Sequence, residues 1–435
     1  MVFLRTMGQE AHSIYVLQLF GQTGPQSRIW TNRPFAEKRK WVENATAQEK
    51  IQSRAFNEHL MQLLSISTLK DVPQVANDPL RRTAMRDRGY ELMAGMLGVE
   101  GTDQEKVNTI NNYGRIADRA VNRALEVFPP RFHNTLGITN ALTDIHNPSE
   151  LALIGLHERY DPALRFEAAR KLVLLELAGT VDQREKALGI EEKYKRFDEF
   201  LDTHVWDNKE GFAHRERFYL VTTHDPDTFL TTSAEMMREE PEAQTGQIIT
   251  PLDRRSFLVG KRKVYVFADK RKKDSETQVL KVIRKKGENP EGAIDDQIGL
   301  IVVPDNVHNM DLFQKRISQA ALDQGTYMKF EGSVDTIGAG NYAPINQGSS
   351  QFLEMRKLFA KMAGMRIEII LHTNRTYADY LYARGKSHRE YEIKRLFDSG
   401  CAELLFPQSY YGINLEAAKD QAIQRARYEI EQAAA

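Results

Sequence analysis

The chain has 435 residues, 41% hydrophobic and 28% charged, which is typical of a globular protein with two or three domains. Sixty basic residues balance sixty acidic ones, so the overall charge excludes a generally polycationic protein, and any affinity for nucleotides must come from local clustering. The single cysteine, Cys401, excludes an intrachain disulfide. Because polar residues also interrupt the apolar start of the chain, we expect a cytoplasmic protein with no membrane partner.

Cap signals in the first half of the chain predict helices. Thr102–Glu105 has the form of a capping box, and Asn147-Pro148 and Asp161-Pro162 each place a cap residue before a proline that suits the first helical turn. Gly179 is predicted to end the helix that starts at Asp161-Pro162. The pattern favours a plain helical bundle over a helical-repeat hairpin. We therefore predict a mainly helical domain at residues 1–210. A regulatory role for this domain, with a protein or RNA partner, is left open.

The predicted secondary structure changes in the second half of the chain. Residues 211–255 carry few signals and are predicted as a linker region, in which Arg217–Thr223 is a candidate strand and Thr245–Asp253 a loop. From residue 256 to 435, strands alternate with helices and predict an α+β domain whose mixed sheet of about five strands is flanked by helices. The predicted strands cover 256–260, 262–270, 293–303, 327–334, 351–360 and 365–373, and the predicted helices 275–286, 310–324, 376–398 and 415–433.

Basic residues are concentrated between positions 254 and 286, where thirteen Lys or Arg residues accompany only three acids. Helical spacing places Lys281 and Arg284 on a polar face of the predicted helix. Arg271 and Lys273 come just before its N-terminus, where free backbone N–H groups attract anions. Since arginine and lysine side chains bind phosphate oxygens, this cluster predicts a phosphate site. The alternative is a solvated basic face.

Two acids occur in apolar strands of the same predicted domain. Asp296 precedes the run Ile298–Val303, and Glu368 lies within Met365–Thr373. An ionised carboxylate in such surroundings is costly unless it is paired, hydrogen-bonded or bound to a metal. Two acids on neighbouring strands facing a basic cluster are what Mg²⁺-dependent transfer from a nucleoside triphosphate requires. The alternative for each acid is an ordinary salt bridge at a strand end.

The predicted helix 376–398 adds aromatic residues to the candidate site. His388 and Tyr391 are neighbours on one face of this helix and are predicted to contact a nucleotide. The alternative is that this face packs against the sheet. The residues on the face are Tyr377, Leu381, Arg384, His388, Tyr391 and Arg395.

The ordered motifs resemble the synthetase domain of the RelA/SpoT alarmone synthetases. The order is R-x-K, E-[ST]-x-x-x-K-x-x-R, D-x-x-G, E-x-x-x-x-T and H-x-x-Y, within residues 256–400. This resemblance implies a nucleotidyltransferase-like fold and Mg²⁺-dependent transfer of pyrophosphate from ATP to a hydroxyl group of a nucleotide or RNA acceptor. It implies that Asp296 and Glu368 bind the metal and carry out catalysis. It assigns nucleotide or phosphate binding to Arg271, Lys273, Lys281, Arg284, His388 and Tyr391.

The sequence departs from the family pattern at three places. The family's arginine after the glycine of D-x-x-G is Ile301 here, and the strand of Glu368 continues with Ile370, Leu371, His372 and Thr373 where the family usually has Gln-Ile-Arg-Thr. The acceptor loop, Asn346–Phe352, lacks the family's tyrosine, for which Tyr342 is the nearest substitute. These departures favour an alternative, a catalytically silent relative that binds a nucleotide or RNA; a third possibility is a basic RNA-binding protein. His224-Asp225 matches the dipeptide of the family's hydrolase domain, but Pro226 predicts a turn there. The pair Gly338 and Gly340 is too short for a dinucleotide fingerprint.

Overall fold

The computed structural model describes residues 58–134, 137–207, 215–242, 244–284, 297–337 and 353–434. The chain forms two compact units that interleave along the sequence, whereas the sequence predicted consecutive domains. The helical unit contains the chain up to Leu188, Asp274–Ile294 and Leu396–Lys419; the sheet unit contains Gly189–Lys273, Asp295–Arg395 and Asp420–Ala435. No helix in the described ranges is both long and apolar enough to cross a membrane.

The helices start largely where the cap residues predict. Thr102 and Glu105 form the predicted capping box of α3, and Asn147 accepts a hydrogen bond from the backbone N–H of Glu150 at the start of α5. In chain order the helices are α1 Val72–Asn77, α2 Pro79–Leu97, α3 Asp103–Val127, α4 Pro130–Asn134, α5 Pro148–Leu156, α6 Pro162–Leu188, α7 Ile190–Phe200, α8 Ser275–Arg284, α9 Val307–Asp323, α10 Asn374–Tyr382, α11 His388–Asp398, α12 Cys401–Leu405, α13 Gln408–Tyr411 and α14 Leu415–Ala434. A π-helical turn, Leu201–Val205, follows α7.

Gly179 does not end α6, so that prediction is wrong. The helix continues for nine residues to Leu188. A Cβ atom at position 179 would lie 2.5 Å from Leu97 Cδ1 and 3.0 Å from ring carbons of Tyr113. Glycine is therefore required there by the close approach of neighbouring helices.

Charged side chains lie inside the helical unit, on the central helix α6. Glu167, Arg170 and Lys171 are each 2% exposed. Arg170 donates to the backbone oxygen of Leu405, and Glu167 accepts hydrogen bonds from Thr139 and from the backbone N–H of Ala141. Because every buried charge needs a partner, these bonds tie the loop between α4 and α5 and the C-terminal end of α12 to α6.

The sheet unit contains one mixed sheet of eight strands within the described residues. Its order is β2-β1-β3-β4-β5-β8-β7-β6, in which β5 and β8 are parallel and all other neighbours are antiparallel. The strands are β1 Glu216–His224, β2 Thr231–Met237, β3 Gln247–Val259, β4 Arg262–Lys272, β5 Ile298–Pro304, β6 Lys329–Asp335, β7 Arg356–Met362 and β8 Met365–Leu371. The predicted α+β class and mixed sheet are confirmed, but the predicted number of about five strands is wrong.

The additional strands lie in the segment predicted as a linker. Thr245–Asp253, predicted as a loop, lies mostly in β3, while the candidate strand Arg217–Thr223 lies in β1. This segment of β3 contains Pro251, and proline lacks the N–H that a central strand needs. At Pro251, however, β3 pairs only with β1, since its pairing with β4 starts at Arg254. The proline therefore occupies a local edge of the sheet.

Helices cover both faces of the central strands. On one face, Leu300 and Val302 of β5 pack with Phe313 of α9. On the other, Ile301 and Val303 pack with Tyr377 of α10. Since side chains alternate along a strand, position 299 faces the same side as Ile301. The candidate site lies on this α10 face.

Candidate functional site

Glu368 of β8 is the centre of the candidate site. Its side chain is 7% exposed. Its carboxylate contacts three cations, which are the Nη2 of Arg271 at 3.6 Å, the Nζ of Lys273 at 3.8 Å and the Nζ of Lys357. Arg271, Lys273 and Lys357 are hereafter the cation cluster. The structure therefore brings together three side chains that the sequence predicted as a site, Arg271, Lys273 and Glu368.

Strand pairing explains how these side chains meet. Arg271 of β4 pairs with Gly299 of β5, and Gly299 pairs with Glu368 of β8, so the three positions form one row across the sheet. Lys273 follows the end of β4, and its backbone N–H donates to Gln297 O. Since side chains two residues apart on a strand share a face, Lys273 and Arg271 can approach Glu368 from the same side.

Lys357 is a member of the cluster that the sequence interpretation missed. It lies on β7, next to Glu368 on the other side from β5. β7 and β8 form a hairpin whose two-residue loop, Ala363 and Gly364, has positive φ at both positions. Two-residue loops of this kind fix the register, and counting back from Ala363-Gly364 aligns Lys357 with Ile370. The signal was therefore present in the sequence as a hairpin.

Because side chains alternate along a strand, the four basic residues Lys270–Lys273 at the end of β4 point to two opposite faces. Lys270 and Lys272 point away from Glu368 and meet acids of α7 and the π-helical turn. Lys272 Nζ lies 2.5 Å from Glu191, and Lys270 contacts Asp198 and lies 3.8 Å from Asp202. All four basic residues are thus engaged by acids within the sheet unit, on two opposite faces of β4, which argues against one continuous basic face for RNA.

The predicted exposure of Lys281 on a polar face of α8 is wrong. Lys281 is 5% exposed, and every residue from Gln278 to Ile283 is buried because α8 packs against α3 and α6. Arg284 is partly buried at the end of the same helix. Both residues belong to the helical unit, whereas Glu368 belongs to the sheet unit. Their phosphate-binding role stays a prediction.

The N-terminus of α8, predicted to attract an anion, is capped by the chain itself. The carboxylate of Asp274 accepts a hydrogen bond of 2.7 Å from the backbone N–H of Thr277. The same carboxylate pairs with Arg123 of α3 at 2.9 Å. This cap keeps the pKa of Asp274 below its ordinary value, despite the opposing effect of burial.

The predicted helix 376–398 is two helices, α10 and α11, so that prediction is wrong. The break falls at residues 383–387, where Gly385 adopts a left-handed conformation with φ of 76°. The break folds Tyr380 of α10 onto His388 of α11, with ring centroids 5.1 Å apart and an interplanar angle of 26°. His388 and Tyr391 are neighbours as predicted, 6.2 Å apart, and the guanidinium of Arg395 lies 5.3 Å from the Tyr391 ring centroid.

Tyr380, His388 and Tyr391 form what we call the aromatic ladder. Burial raises the pKa of Tyr380 to about 12, while the positive charge of Arg271 lowers it and the carboxylates of Glu392, Asp269 and Glu368 raise it further. The Tyr380 ring is therefore within electrostatic range of the Glu368 site. The sheet unit thus places one ring of the ladder within electrostatic range of Arg271 and Glu368.

Replacement of His372 should flatten the pH dependence of stability. Burial lowers the pKa of His372 to about 4. The folded protein keeps this ring neutral, whereas the unfolded chain protonates it near its ordinary pKa of 6.5. The free energy of unfolding should therefore decrease by on the order of 3 kcal/mol as the pH falls from 6.5 toward 4. Urea unfolding of wild type and His372→Phe at several pH values measures the difference, and equal slopes between pH 6.5 and 4 would contradict it.

The predicted Mg²⁺-binding role of Glu368 stays a prediction. No group of three or more potential metal ligands occurs among them, and three cations converge on the one carboxylate. A divalent cation prefers several oxygen ligands and is repelled by adjacent positive charge. Asp296, the predicted partner ligand, lies outside the described residues, as do Tyr342, Gly338, Gly340 and the acceptor loop 346–352.

His224-Asp225 adopts the predicted turn. His224 ends β1, and the carboxylate of Asp225 accepts a hydrogen bond of 2.8 Å from the backbone N–H of Thr228.

Comparison of the chain with family models, curated proteins and solved structures gives no match. The resemblance to the alarmone synthetases therefore stays a prediction that is supported by the residues alone.

Proposed function

We propose that the sheet unit binds a nucleoside polyphosphate, with its phosphates at the cation cluster and its base at the aromatic ladder. The observation that carries this proposal is the convergence of Arg271, Lys273 and Lys357 on one carboxylate. The Glu368 oxygens mark a position where negatively charged oxygen is stabilised by three side chains. Phosphate oxygens satisfy the same donors, and arginine suits them through its planar fork of N–H groups.

Solvent access at the cluster is compatible with a ligand that enters from outside. The exposed fractions of the side chains are 35% for Arg271, 20% for Lys357 and 13% for Lys273. The cations are thus partly desolvated, which strengthens charge-assisted hydrogen bonds, yet the guanidinium stays within reach of solvent.

The aromatic ladder supports a nucleotide over a simple inorganic anion. His388 and Tyr391 are partly buried and carry the predicted H-x-x-Y pattern. Stacking of a base on an aromatic ring contributes about 1–3 kcal/mol and tolerates different bases. The ladder therefore favours a nucleotide without deciding between adenine and guanine.

Pyrophosphate transfer is a second candidate function, and the position of Glu368 favours it. A site that only bound anions would bind them better without a carboxylate among its cations. In the proposed transfer, an acceptor hydroxyl oxygen attacks the β-phosphorus of ATP. The bond from that phosphorus to the α–β bridging oxygen breaks, AMP leaves, and the hydroxyl proton passes to Glu368. The silent relative remains the alternative, because the cations already engage this carboxylate.

Replacement of Lys357 by alanine tests the proposed binding. We expect Lys357→Ala to weaken ATP binding roughly tenfold or more, because one charge-assisted hydrogen bond contributes about 1.5–3 kcal/mol. Isothermal titration calorimetry of wild type and variant with ATP, in EDTA, measures the affinities.

Lys361→Ala provides the matched control, since Lys361 lies on the same strand, β7, and is exposed. We expect this variant to keep the wild-type affinity. Equal losses in both variants would indicate a diffuse charge effect, and an unchanged affinity in Lys357→Ala would contradict the proposed site.

A further inference from the structure

Gly299 occupies an unexpected position for a glycine. It is the second residue of β5, whose residues are all buried and otherwise mostly branched and apolar. Glycine weakens the interior of a strand because it loses more conformational freedom on folding and has no side chain to pack. Gly299 is also absent from the described glycines with positive φ, so its backbone conformation does not require glycine.

The side chain of Arg271 explains the missing Cβ. A Cβ atom at position 299 would lie 3.1 Å from Nε and 3.2 Å from Cγ of Arg271, which is tighter than nine in ten real Cβ contacts, so the arginine would have to shift. The arginine side chain therefore passes directly over Gly299 on its way from β4 to Glu368. Its Nε is buried and has no hydrogen-bond partner among the described residues.

We infer that Gly299 is a positioning residue for polyphosphate binding, because it leaves a corridor across β5 through which Arg271 reaches the Glu368 site. This inference rests on the proposed function and names the residue that directs the guanidinium. A side chain at position 299 would lift Arg271 from the sheet and move its donors away from the phosphates. The glycine thus acts through Arg271 and does not itself contact the ligand.

A matched control lies in the same row of paired positions across the sheet. Gly332 of β6 aligns with Phe359 of β7, which aligns with Glu368. A Cβ atom at Gly332 would meet only the Phe359 ring at 3.8 Å, an ordinary contact. Gly299→Ala and Gly332→Ala therefore make the same chemical change in one sheet, and only the first meets Arg271.

Binding of inorganic tripolyphosphate to four variants tests the inference by calorimetry. We expect Gly299→Ala and Arg271→Ala each to weaken binding roughly ten- to a hundredfold, because both remove a charge-assisted bond. The double variant should bind no more weakly than Arg271→Ala, and Gly332→Ala should bind as wild type does. Wild-type affinity in Gly299→Ala, or a further loss in the double variant, would overturn the inference.

Urea unfolding of the same variants separates this inference from the proposed function. If wild type bound no tripolyphosphate, the proposed function would be wrong. Urea unfolding would then still show whether the Arg271 side chain passes over Gly299. We expect Gly299→Ala to raise the urea midpoint more in the Arg271→Ala background than in wild type, because alanine then meets no arginine. Equal changes in both backgrounds would show that Arg271 does not use the corridor.

Discussion

Replacement of Lys171 by methionine is expected to lower the free energy of unfolding by about 3–5 kcal/mol. Lys171 Nζ donates to Asp118 Oδ2 at 2.8 Å and to the backbone oxygen of Leu142 at 2.5 Å, and the side chain is 3% exposed. Methionine fills a similar volume but leaves the Asp118 carboxylate and the Leu142 oxygen without this donor. Removal of one partner of a buried pair is costly because the other charge stays buried.

Urea unfolding followed by far-ultraviolet circular dichroism measures this loss, since the helical unit contributes much of the helical signal. Lys186→Met on the same helix is the control, because Lys186 pairs with Asp182 while 60% exposed and should contribute less than about 1 kcal/mol. Adding Asp118→Leu to Lys171→Met should recover part of the stability, since it removes the unpaired charge. A loss equal to that of Lys186→Met would show that the buried pair contributes little.

The second large effect is expected at Glu368. Glu368→Gln should reduce pyrophosphate transfer about 100- to 10,000-fold if Glu368 accepts the hydroxyl proton. The same change should leave ATP binding intact or make it tighter, because it removes a negative charge from the cation cluster. Few structural roles produce this combination of lost transfer and retained binding.

Transfer from labelled ATP to a panel of nucleotide and RNA acceptors, measured together with calorimetry, tests this expectation. Glu331→Gln on the edge strand β6 makes the same substitution away from the cluster and should leave both properties unchanged. Near-normal transfer in Glu368→Gln would exclude Glu368 as the base. ATP binding by wild type without transfer to any acceptor would favour the catalytically silent relative.

Local signals in the sequence predicted much of this arrangement. The cap residues of α3 and α5 fix helix starts through neighbouring hydrogen bonds, so they can be recognised without tertiary structure. Glu368 in an apolar strand indicated a carboxylate that is paired, hydrogen-bonded or bound to a metal, and the structure gives it three cationic partners. Arg271 and Lys273 lie next to Glu368, but their predicted role in phosphate binding stays a prediction.

Features that depend on distant strands were not predictable from local patterns. The burial of Lys281 is caused by α3 and α6, which are distant in the sequence and cover a helix whose own sequence is amphipathic. The segment Thr245–Asp253 lies mostly in a strand whose pairing with β1 and β4 no pattern within the segment shows. The break at Gly385 could have been predicted, since an interior glycine weakens a helix.

The most direct test of the central claim is calorimetric titration of inorganic tripolyphosphate into wild type and the double variant Arg271→Ala/Lys357→Ala. We predict saturable binding at a single site in wild type, which weakens as salt concentration rises because charge dominates the contact. The double variant should lose this binding while retaining its circular dichroism spectrum. Absence of saturable binding by wild type, or equal binding by the double variant, would contradict a polyphosphate site at the cation cluster.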